Sequence, residues 1–343
     1  MHTRRPRYPG KNPRRFHEKY KELNPERYGD DVRKVLESGK TPAGMHRPIM
    51  VDEVLEALAP KAGELAVDCT LGFGGHARAI LDRLQPGGRL IGLDVDPIEL
   101  PRTEARLRAA GYAADAFSAR RRNFAGLAQL LAAEQSGGAD VVLADLGVSS
   151  MQLDNPERGF TYKESGPLDM RMNPARGEPA SQLLARLSED KLVRLLEDNA
   201  DEPDARPIVR ALKTEPLRTT GDLCRRVRAA VSAEQPQAAD ADIEKAIRRT
   251  FQALRIAVND EFSALETWLR HLPLCLAPGG RVAVLTFHSG EDRRVKQAFE
   301  AGLRDGLYAA IADEVVRPSP GEVRANPRAG SAKLRWARRK FEV

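Results

Sequence analysis

VDCTLGFGGHA, residues 67–77, runs from an apolar stretch through a glycine-rich turn into the start of a predicted helix. Gly72, Gly74 and Gly75 lack a β-carbon, so the backbone can turn tightly and a ligand can approach it closely. Asp94 ends the next apolar run, at the place where a carboxylate would meet ribose hydroxyls. This arrangement predicts a binding site for a nucleoside cofactor.

The glycine spacing leaves the identity of that nucleoside open. Gly72, Gly74 and Ala77 satisfy the loose dinucleotide pattern GxGxxG/A. Asp68 precedes the turn, and His76 replaces the small residue that usually starts the helix. An acid is unfavourable beside a pyrophosphate but suits a cationic aminoacyl group, which favours S-adenosylmethionine. A nicotinamide dinucleotide and a purely structural turn are the alternatives.

Short apolar runs alternate with helical patterns around this turn. The runs at 64–70, 89–96 and 140–147 end in acidic or glycine-containing turns, as buried parallel strands do. A fourth run, 281–287, follows the Pro-Gly-Gly at 278–280. The alternation predicts an α/β fold with an open doubly wound sheet. Between 153 and 250 the sequence is rich in charge and helix formers, which predicts an inserted helical domain.

The stretch ADLGVSSMQLDNPERGFTYKESGPLDMRM, residues 144–172, follows the third run. Residues just beyond the carboxyl ends of parallel strands line the ligand crevice, so we expect Asp145 to face the cofactor. Ser149, Ser150 and Gln152 follow as neutral hydrogen-bonding groups. The loop continues to Asp169 and Arg171, and long polar loops of this kind are usually functional.

Two further segments offer polar side chains near the predicted crevice. Residues 248–262 alternate apolar positions with Arg249 and Arg255, so one helix could bury one face and present arginines on another. His288 follows the strand predicted at 281–287. A histidine in this position is either a hydrogen-bonded structural residue or a substrate-binding group.

Charge is distributed unevenly along the 343 residues, whose net charge is +6. Residues 1–44 and 317–340 carry the basic surplus, so the segment between them is net acidic. Aromatic residues stand among the basic residues of 1–44, as in segments that grip single-stranded RNA. The two ends are therefore predicted to be arms that reach for polyanions. Tails that merely aid solubility are the alternative.

The cysteine content and the hydropathy of the sequence argue against a metal-binding protein and against a membrane protein. The three cysteines are widely separated and form no Cys/His cluster, so no metal site is predicted. No apolar stretch is long enough to span a bilayer, and none follows the basic start as a signal peptide would require. A cytoplasmic protein with no membrane association is expected.

Six ordered motifs resemble the RsmH (MraW) methyltransferases, which methylate the exocyclic N4 of a cytosine in small-subunit (16S) ribosomal RNA. The resemblance covers residues from about His46 to Trp336. It departs from the usual family pattern at Cys69 and Gly290 and does not cover the basic extension, which indicates a divergent branch. The matching motifs are DCTLGFGGH, GLDVDP, ADLGVSSMQLD, RTFQALRI, PGGRVAVLTFHSGEDR and NPRAGSAKLR.

The resemblance implies a class I, Rossmann-like, S-adenosylmethionine-dependent methyltransferase fold with an inserted all-helical domain. The expected divisions are a basic extension over 1–44, methyltransferase segments over 45–152 and 251–343, the second with a basic C-terminal tail, and the insertion over 153–250. The cofactor-binding residues that the resemblance implies are Gly74, Gly75, His76, Asp94, Phe124, Asp145 and Gln152; the glycine turn itself adds Asp68 and Gly72. The candidate substrate-binding residues are Asp169, Arg171, Arg249, Arg255 and His288.

The predicted reaction is methylation of a cytidine in the decoding region of 16S ribosomal RNA, with the small ribosomal subunit as partner and no metal. A cytosine amino nitrogen is a poor nucleophile, so the enzyme must position it and accept its proton. Asp145, helped by Ser149 or Ser150, is the candidate acceptor. A nicotinamide-dependent oxidoreductase and a non-catalytic RNA-binding ribosome assembly factor are the alternative functions.

Overall fold

A seven-stranded sheet lies at the centre of the computed structural model, which describes residues 48–341. Its strands are β1 (Leu65–Asp68), β2 (Arg89–Asp94), β3 (Phe117–Arg121), β4 (Ala139–Asp145), β5 (Leu276–Thr286), β6 (Tyr308–Ile311) and β7 (Lys333–Arg339). The order across the sheet is β3-β2-β1-β4-β5-β7-β6. Strands β1 to β5 are parallel, and β7 is antiparallel to both neighbours. This topology confirms the predicted class I methyltransferase fold.

Thirteen helices accompany the sheet within the described residues. They are α1 (Val51–Leu58), α2 (Gly75–Leu84), α3 (Glu99–Ala109), α4 (Leu127–Ala133), α5 (Ser150–Asp154), α6 (Ala180–Arg186), α7 (Glu189–Ala200), α8 (Ala205–Leu212), α9 (Thr220–Glu234), α10 (Asp240–Asn259), α11 (Glu261–Cys275), α12 (Ser289–Arg304) and α13 (Pro320–Ala325). None of these helices is long and apolar enough to cross a membrane.

The order in which the chain forms its strands determines where on the sheet a ligand crevice lies. The chain passes from β1 to β2 and β3 on one side and then returns to β4 on the other side of β1. A crevice forms at such a reversal, at the carboxyl ends of the strands on either side. Asp68 ends β1 and Asp145 ends β4, so their side chains flank the reversal.

Helices α6 to α10 have an apolar core of their own. Leu192, Ile208, Leu223 and Leu254 are almost fully buried within it. The segment nevertheless lies in one compact unit with the sheet. The predicted boundary at residue 250 falls inside α10, which continues to Asn259 because its apolar positions keep facing this core. The division into domains stays a prediction.

Two features of β5 and α10 differ from the prediction. Strand β5 begins at Leu276, before the Pro-Gly-Gly at 278–280, and a register shift against β4 accommodates the early residues. The helix expected over 248–262 is interrupted at Asp260, whose left-handed backbone (φ 52°) separates α10 from α11. Arg255 therefore lies next to a second helix, α11. The prediction of one continuous helix over 248–262 did not include this neighbour.

The predicted polyanion-binding arm over 317–340 is wrong for residues 333–339, because they form β7 inside the sheet. Leu334 and Ala337 are fully buried there. Lys333 and Arg335 both pair with Asp292 of α12. Alternating apolar and basic residues are typical of a half-buried strand, and here they fill the place between β5 and β6. The other predicted arm, 1–44, lies outside the described residues.

Candidate active site

The glycine turn after β1 has the tight geometry that its sequence predicts. Gly72 and Gly74 adopt left-handed backbone conformations, with φ of 47° and 79°. Gly75 begins α2, and a β-carbon added there would lie only 2.2 Å from Cγ of Pro48. Side chains at these positions would strain the turn or displace its neighbours.

Asp94, at the end of β2, binds this turn directly. Its Oδ2 accepts a hydrogen bond from the backbone N–H of Gly72 at 2.8 Å, and its Oδ1 accepts one from Asp96 at 2.9 Å. Burial raises the pKa of Asp94 despite these two hydrogen bonds. Each carboxylate oxygen has a second lone pair, so both can still accept a hydrogen bond from a ligand hydroxyl.

Asp68 and Asp145 end neighbouring strands beside the turn. Asp68 is almost fully buried and accepts a hydrogen bond from Thr70 N. Burial raises the pKa of Asp68 to about 7. Burial, reinforced by the charge of Glu291, also raises the pKa of Asp145 to about 7. The backbone N–H of Asp145 donates to Thr70 Oγ1 at 2.6 Å, which fixes the end of β4 against the turn.

We call Asp68, Asp94 and Asp145 the carboxylate trio. Within residues 48–341, no Lys or Arg side chain lies within ion-pair distance of any of the three, and only His76 comes close, with Nδ1 3.6 Å from Oδ2 of Asp145. Burial lowers the pKa of His76. The trio therefore concentrates carboxylates at one edge of the sheet without a neutralising cation from the described chain.

Of the neutral groups predicted nearby, Ser149 and Gln152 have structural partners. Ser149 caps the N-terminus of α5 and forms a capping box with Gln152. The amide of Gln152 also donates to Oδ2 of Asp96 at 2.8 Å, so its side chain is buried between two elements. Ser150 begins α5 beside this cap and is half-buried.

A buried ion pair that the sequence analysis missed anchors the long loop after β4. Arg158 donates to Oδ2 of Asp96 at 2.8 Å, and both side chains are less than a tenth exposed. Arg158 also donates to the carbonyl oxygens of Arg171 and Met172. The loop is thus fastened to the end of β2. The Asp-x-Asp-Pro pattern beginning at Asp94 was a sequence signal for Asp96, but its partner 62 residues away could not be inferred from spacing.

Of the predicted substrate-binding residues, Asp169 and Arg171 lie in the long loop after β4, and Arg249 lies on α10. Asp169 and Arg171 form a two-pronged ion pair with each other, with N–O distances of 2.8 and 2.7 Å. Arg249 is half-buried on α10. Their assignment to substrate binding stays a prediction.

Arg255 and His288 instead belong to what we call the Arg255 cluster, which consists of Arg255, Glu261, His288 and Glu291. Arg255 makes two 2.9 Å hydrogen bonds to Glu261 and lies 3.9 Å from Glu291. His288 caps α12, and its Nε2 is 3.1 Å from Glu291. Burial alone would raise the pKa of Glu291. The nearby His288 and Arg255 have the larger combined effect, so the pKa of Glu291 is lowered. Arg255 and His288 are therefore engaged with carboxylates of the chain, and their assignment to substrate binding stays a prediction.

Phe124 lies after β3, at the same edge of the sheet. Its ring packs edge-on against Trp268 of α11, with centroids 5.8 Å apart, and it is only partly buried. One ring face can thus remain available to a ligand, and the predicted contact with the cofactor stays a prediction.

Comparison with known proteins gives a consistent result. A model of the MraW methylase family matches residues 43–340. The chain is 49% identical to "Ribosomal RNA small subunit methyltransferase H 2" of Alkaliphilus metalliredigens, over 97% of each chain. It is 42% identical to "Ribosomal RNA small subunit methyltransferase H" of Symbiobacterium thermophilum, over 84% of this chain and 95% of that one. The first alignment necessarily includes most of residues 1–44, so that relative shares the extension.

Solved structures resemble the chain more distantly. A SAM-dependent O-methyltransferase from Thermotoga maritima has a TM-score of 0.38 at 9% identity, over 85% of this chain and 65% of that one. Fibrillarin from Aeropyrum pernix, solved with S-adenosyl-L-methionine, has a TM-score of 0.36 at 11% identity, over 83% of this chain and 74% of that one. The fold is therefore assigned from the strand order of this chain.

Proposed function

The chain belongs to the MraW methylase family, and from that premise we propose that it transfers a methyl group from S-adenosylmethionine to the N4 amine of a cytidine in the decoding region of 16S ribosomal RNA. The relatives named as small-subunit ribosomal RNA methyltransferases support the substrate class. The small ribosomal subunit in the cytoplasm is the proposed partner, and no metal is required for direct transfer.

The carboxylate trio is the observation that carries the choice of cofactor. Three buried or half-buried carboxylates surround a glycine turn without a Lys or Arg partner among residues 48–341. Such a site favours a cationic nucleoside, whereas the pyrophosphate of a nicotinamide dinucleotide would be repelled. S-adenosylmethionine fits because it supplies an electrophilic methyl group on a positively charged sulfur. Asp94 would hold its ribose, and Gly74, Gly75 and His76 would line its other side.

Asp145 is the proposed proton acceptor. It lies at the switch point between β1 and β4, and 30% of its side chain remains exposed to the crevice. The N4 lone pair of cytosine is delocalised into the ring, so N4 must lose a proton as it gains the methyl group. Ser149 and Ser150 follow Asp145 closely enough to orient the amine. Ser149 already accepts a hydrogen bond from Gln152 N and keeps its own proton and a second lone pair for the substrate.

The cysteines argue against methylation at carbon 5 of cytosine, which requires a thiolate nucleophile. Cys69 and Cys275 are fully buried, and Cys224 is half-buried. Burial raises the pKa of all three thiols, that of Cys275 to about 11. An amino nitrogen therefore fits the site better than a ring carbon.

Mass-spectrometric mapping of ribosomal RNA from a deletion strain tests the proposal. We expect one N4-methylated cytidine of 16S ribosomal RNA to lose that methyl group and to regain it on complementation. A complete set of modifications in the deletion strain would contradict the proposal. Complementation by an inactive Asp145→Asn variant with normal growth would instead favour a non-catalytic assembly factor.

A further inference from the structure

The orientation of His76 is fixed by a backbone carbonyl. Nε2 of His76 lies 2.9 Å from the carbonyl oxygen of Ile49. A carbonyl oxygen has no proton to give, so Nε2 must be the donor. In neutral His76 the other ring nitrogen, Nδ1, then carries a lone pair. That lone pair faces Oδ2 of Asp145 across 3.6 Å.

Two hydrogen-bond acceptors facing each other repel unless one of them carries a proton. His76 is only 7% exposed, so water does not screen the contact well. The separation of 3.6 Å exceeds a hydrogen-bond length, so the half-buried Asp145 carboxyl group and His76 face each other without a direct hydrogen bond. A proton on either atom converts the repulsion into a hydrogen bond or an ion pair.

Among residues 48–341, the acidic groups that face this pair are Asp68 of β1, Glu291 of α12 and Glu322 of α13. The cation nearest to them is Arg255 of α10, which lies beside Gly147 and pairs with Glu261. The negative charge of the acidic groups favours a proton on the pair and would equally favour a cation placed beside it. Proton and cation therefore compete for the same negative potential.

We propose that His76 is a positioning residue for Asp145: the two side chains hold one proton before the cofactor binds and release it when the cofactor's positive charge arrives. The inference rests on the proposed function. Its geometric basis is the fixed tautomer of His76 and the absence of a Lys or Arg partner for Asp145 in residues 48–341.

The release would prepare Asp145 for the reaction. Once ionised, its carboxylate can accept a proton from N4. The balance closes: N4 gains a methyl group as a cation and loses one proton, Asp145 accepts that proton, and the electron pair of the broken S–C bond stays on sulfur. The pair again holds one proton, now the one that N4 has lost, because the first proton went to solvent when the cofactor bound. His76 touches no reacting atom in this scheme and acts through Asp145.

Calorimetric titration with S-adenosylmethionine tests the inference without measuring activity. At the same pH, the binding enthalpies observed in phosphate and in Tris differ by the number of protons released multiplied by the difference between the ionisation enthalpies of the two buffers. For groups that titrate near pH 7, we expect release of about half a proton or more per cofactor at pH 7, falling towards zero at pH 9. Equal binding enthalpies in the two buffers at pH 7 would overturn the inference.

Two histidine variants separate the pair from general effects. His76→Gln keeps an N–H donor for Ile49 but removes the Nδ1 lone pair that shares the proton with Asp145. We therefore expect the pH at which proton release is half-maximal to fall, although the protons that burial retains on Asp68 and Asp145 are still released. His271→Gln replaces a histidine on α11, and we expect it to leave the pH dependence of proton release unchanged. An unchanged pH dependence in His76→Gln would contradict the role of His76.

Nitrogen-15 spectra of the ligand-free protein provide a second test if His76→Gln fails to fold. The Nδ1 resonance of His76 should move as Asp145, whose pKa is raised to about 7, loses its proton, and it should change in Asp145→Asn. A resonance unaffected by both would overturn the inference. Binding without proton release leaves the proposed function intact, whereas failure of the wild type to bind S-adenosylmethionine would overturn the proposed function and the inference together.

Discussion

The carboxylate trio and the Arg255 cluster are two buried charged regions that differ in how far cations of the chain neutralise their carboxylates. They adjoin each other, because a β-carbon at Gly147, two residues after Asp145, would lie 3.8 Å from the guanidinium of Arg255. In the cluster each carboxylate has a cationic partner; the pKa of Glu291 is lowered, whereas burial raises that of Glu261 in spite of Arg255. In the trio the pKa of Asp68 and of Asp145 is raised to about 7. The two regions therefore differ in whether a cation of the described chain accompanies the buried carboxylates, and this difference is the reason that we propose the trio as the cofactor site.

Replacing the acceptor should have the largest effect on activity. Asp145→Asn keeps the size of the side chain but removes its capacity to accept a proton, so we expect methyl transfer to fall by about 10²- to 10⁴-fold. The measurement is transfer of tritiated methyl groups to small ribosomal subunits. Asp140→Asn is the matched control, because Asp140 lies on the same strand and accepts a hydrogen bond from Leu65 N at its other end. A similar loss in both variants would contradict the assignment.

Breaking the Arg255 cluster should cost stability. Arg255→Met leaves Glu261 and Glu291 without their buried partner, so we expect the free energy of unfolding to fall by about 3–5 kcal/mol. Asp68→Asn removes a carboxylate that has no ion-pair partner and should not destabilise the protein at pH 7. Urea unfolding compares the two. Equal losses of unfolding free energy in Arg255→Met and Asp68→Asn would contradict the difference proposed between the two regions.

The pH dependence of stability should differ in sign between the regions. The folded-state pKa of Asp68 is raised from 3.8 to about 7, so the stability that its protonated form contributes is complete below pH 4 and is lost as the pH rises to 7. Asp68→Asn should therefore gain stability relative to the wild type between pH 4 and 7 and keep that gain above pH 7. Thermal unfolding between pH 4 and 9 measures this difference.

Glu291 provides the opposite case. Its pKa is lowered from 4.5, so its contribution is present above that pH and is lost in acid. Glu291→Gln should be least stable relative to the wild type near neutral pH, and the difference should shrink below pH 4.5. Parallel melting curves for the wild type, Asp68→Asn and Glu291→Gln would contradict both signs.

The smallest expected effect concerns RNA affinity. Removing residues 1–44 takes away a surplus of basic residues, so RNA binding should weaken and its salt dependence should flatten. Cofactor binding should not change. Fluorescence anisotropy at several salt concentrations measures the slope. An unaltered slope would refute the proposal that this extension grips phosphates.

Patterns with short-range causes were predictable from the sequence. Apolar runs fixed the places of β1, β2 and β4, and parallel pairing then brings Asp68, Asp94 and Asp145 to one edge. The glycine turn was predictable because its backbone angles are unfavourable for other residues.

The remaining features depend on partners that are distant in sequence. Arg158 finds Asp96, and Arg255 finds Glu261 only because Asp260 turns the chain into α11. Strand β7 was mistaken for part of an arm because Asp292, which neutralises Lys333 and Arg335, lies 41 and 43 residues earlier. Charge counted along a sequence does not reveal which charges meet in space.

Calorimetric titration of the wild-type protein with S-adenosylmethionine and, separately, with NADH tests most directly whether the carboxylate trio receives a cation. We predict saturable binding of S-adenosylmethionine and no measurable binding of NADH, whose pyrophosphate would face Asp68 and Asp145. Preferential binding of NADH would contradict the assignment of this site and, with it, the proposed methyl transfer.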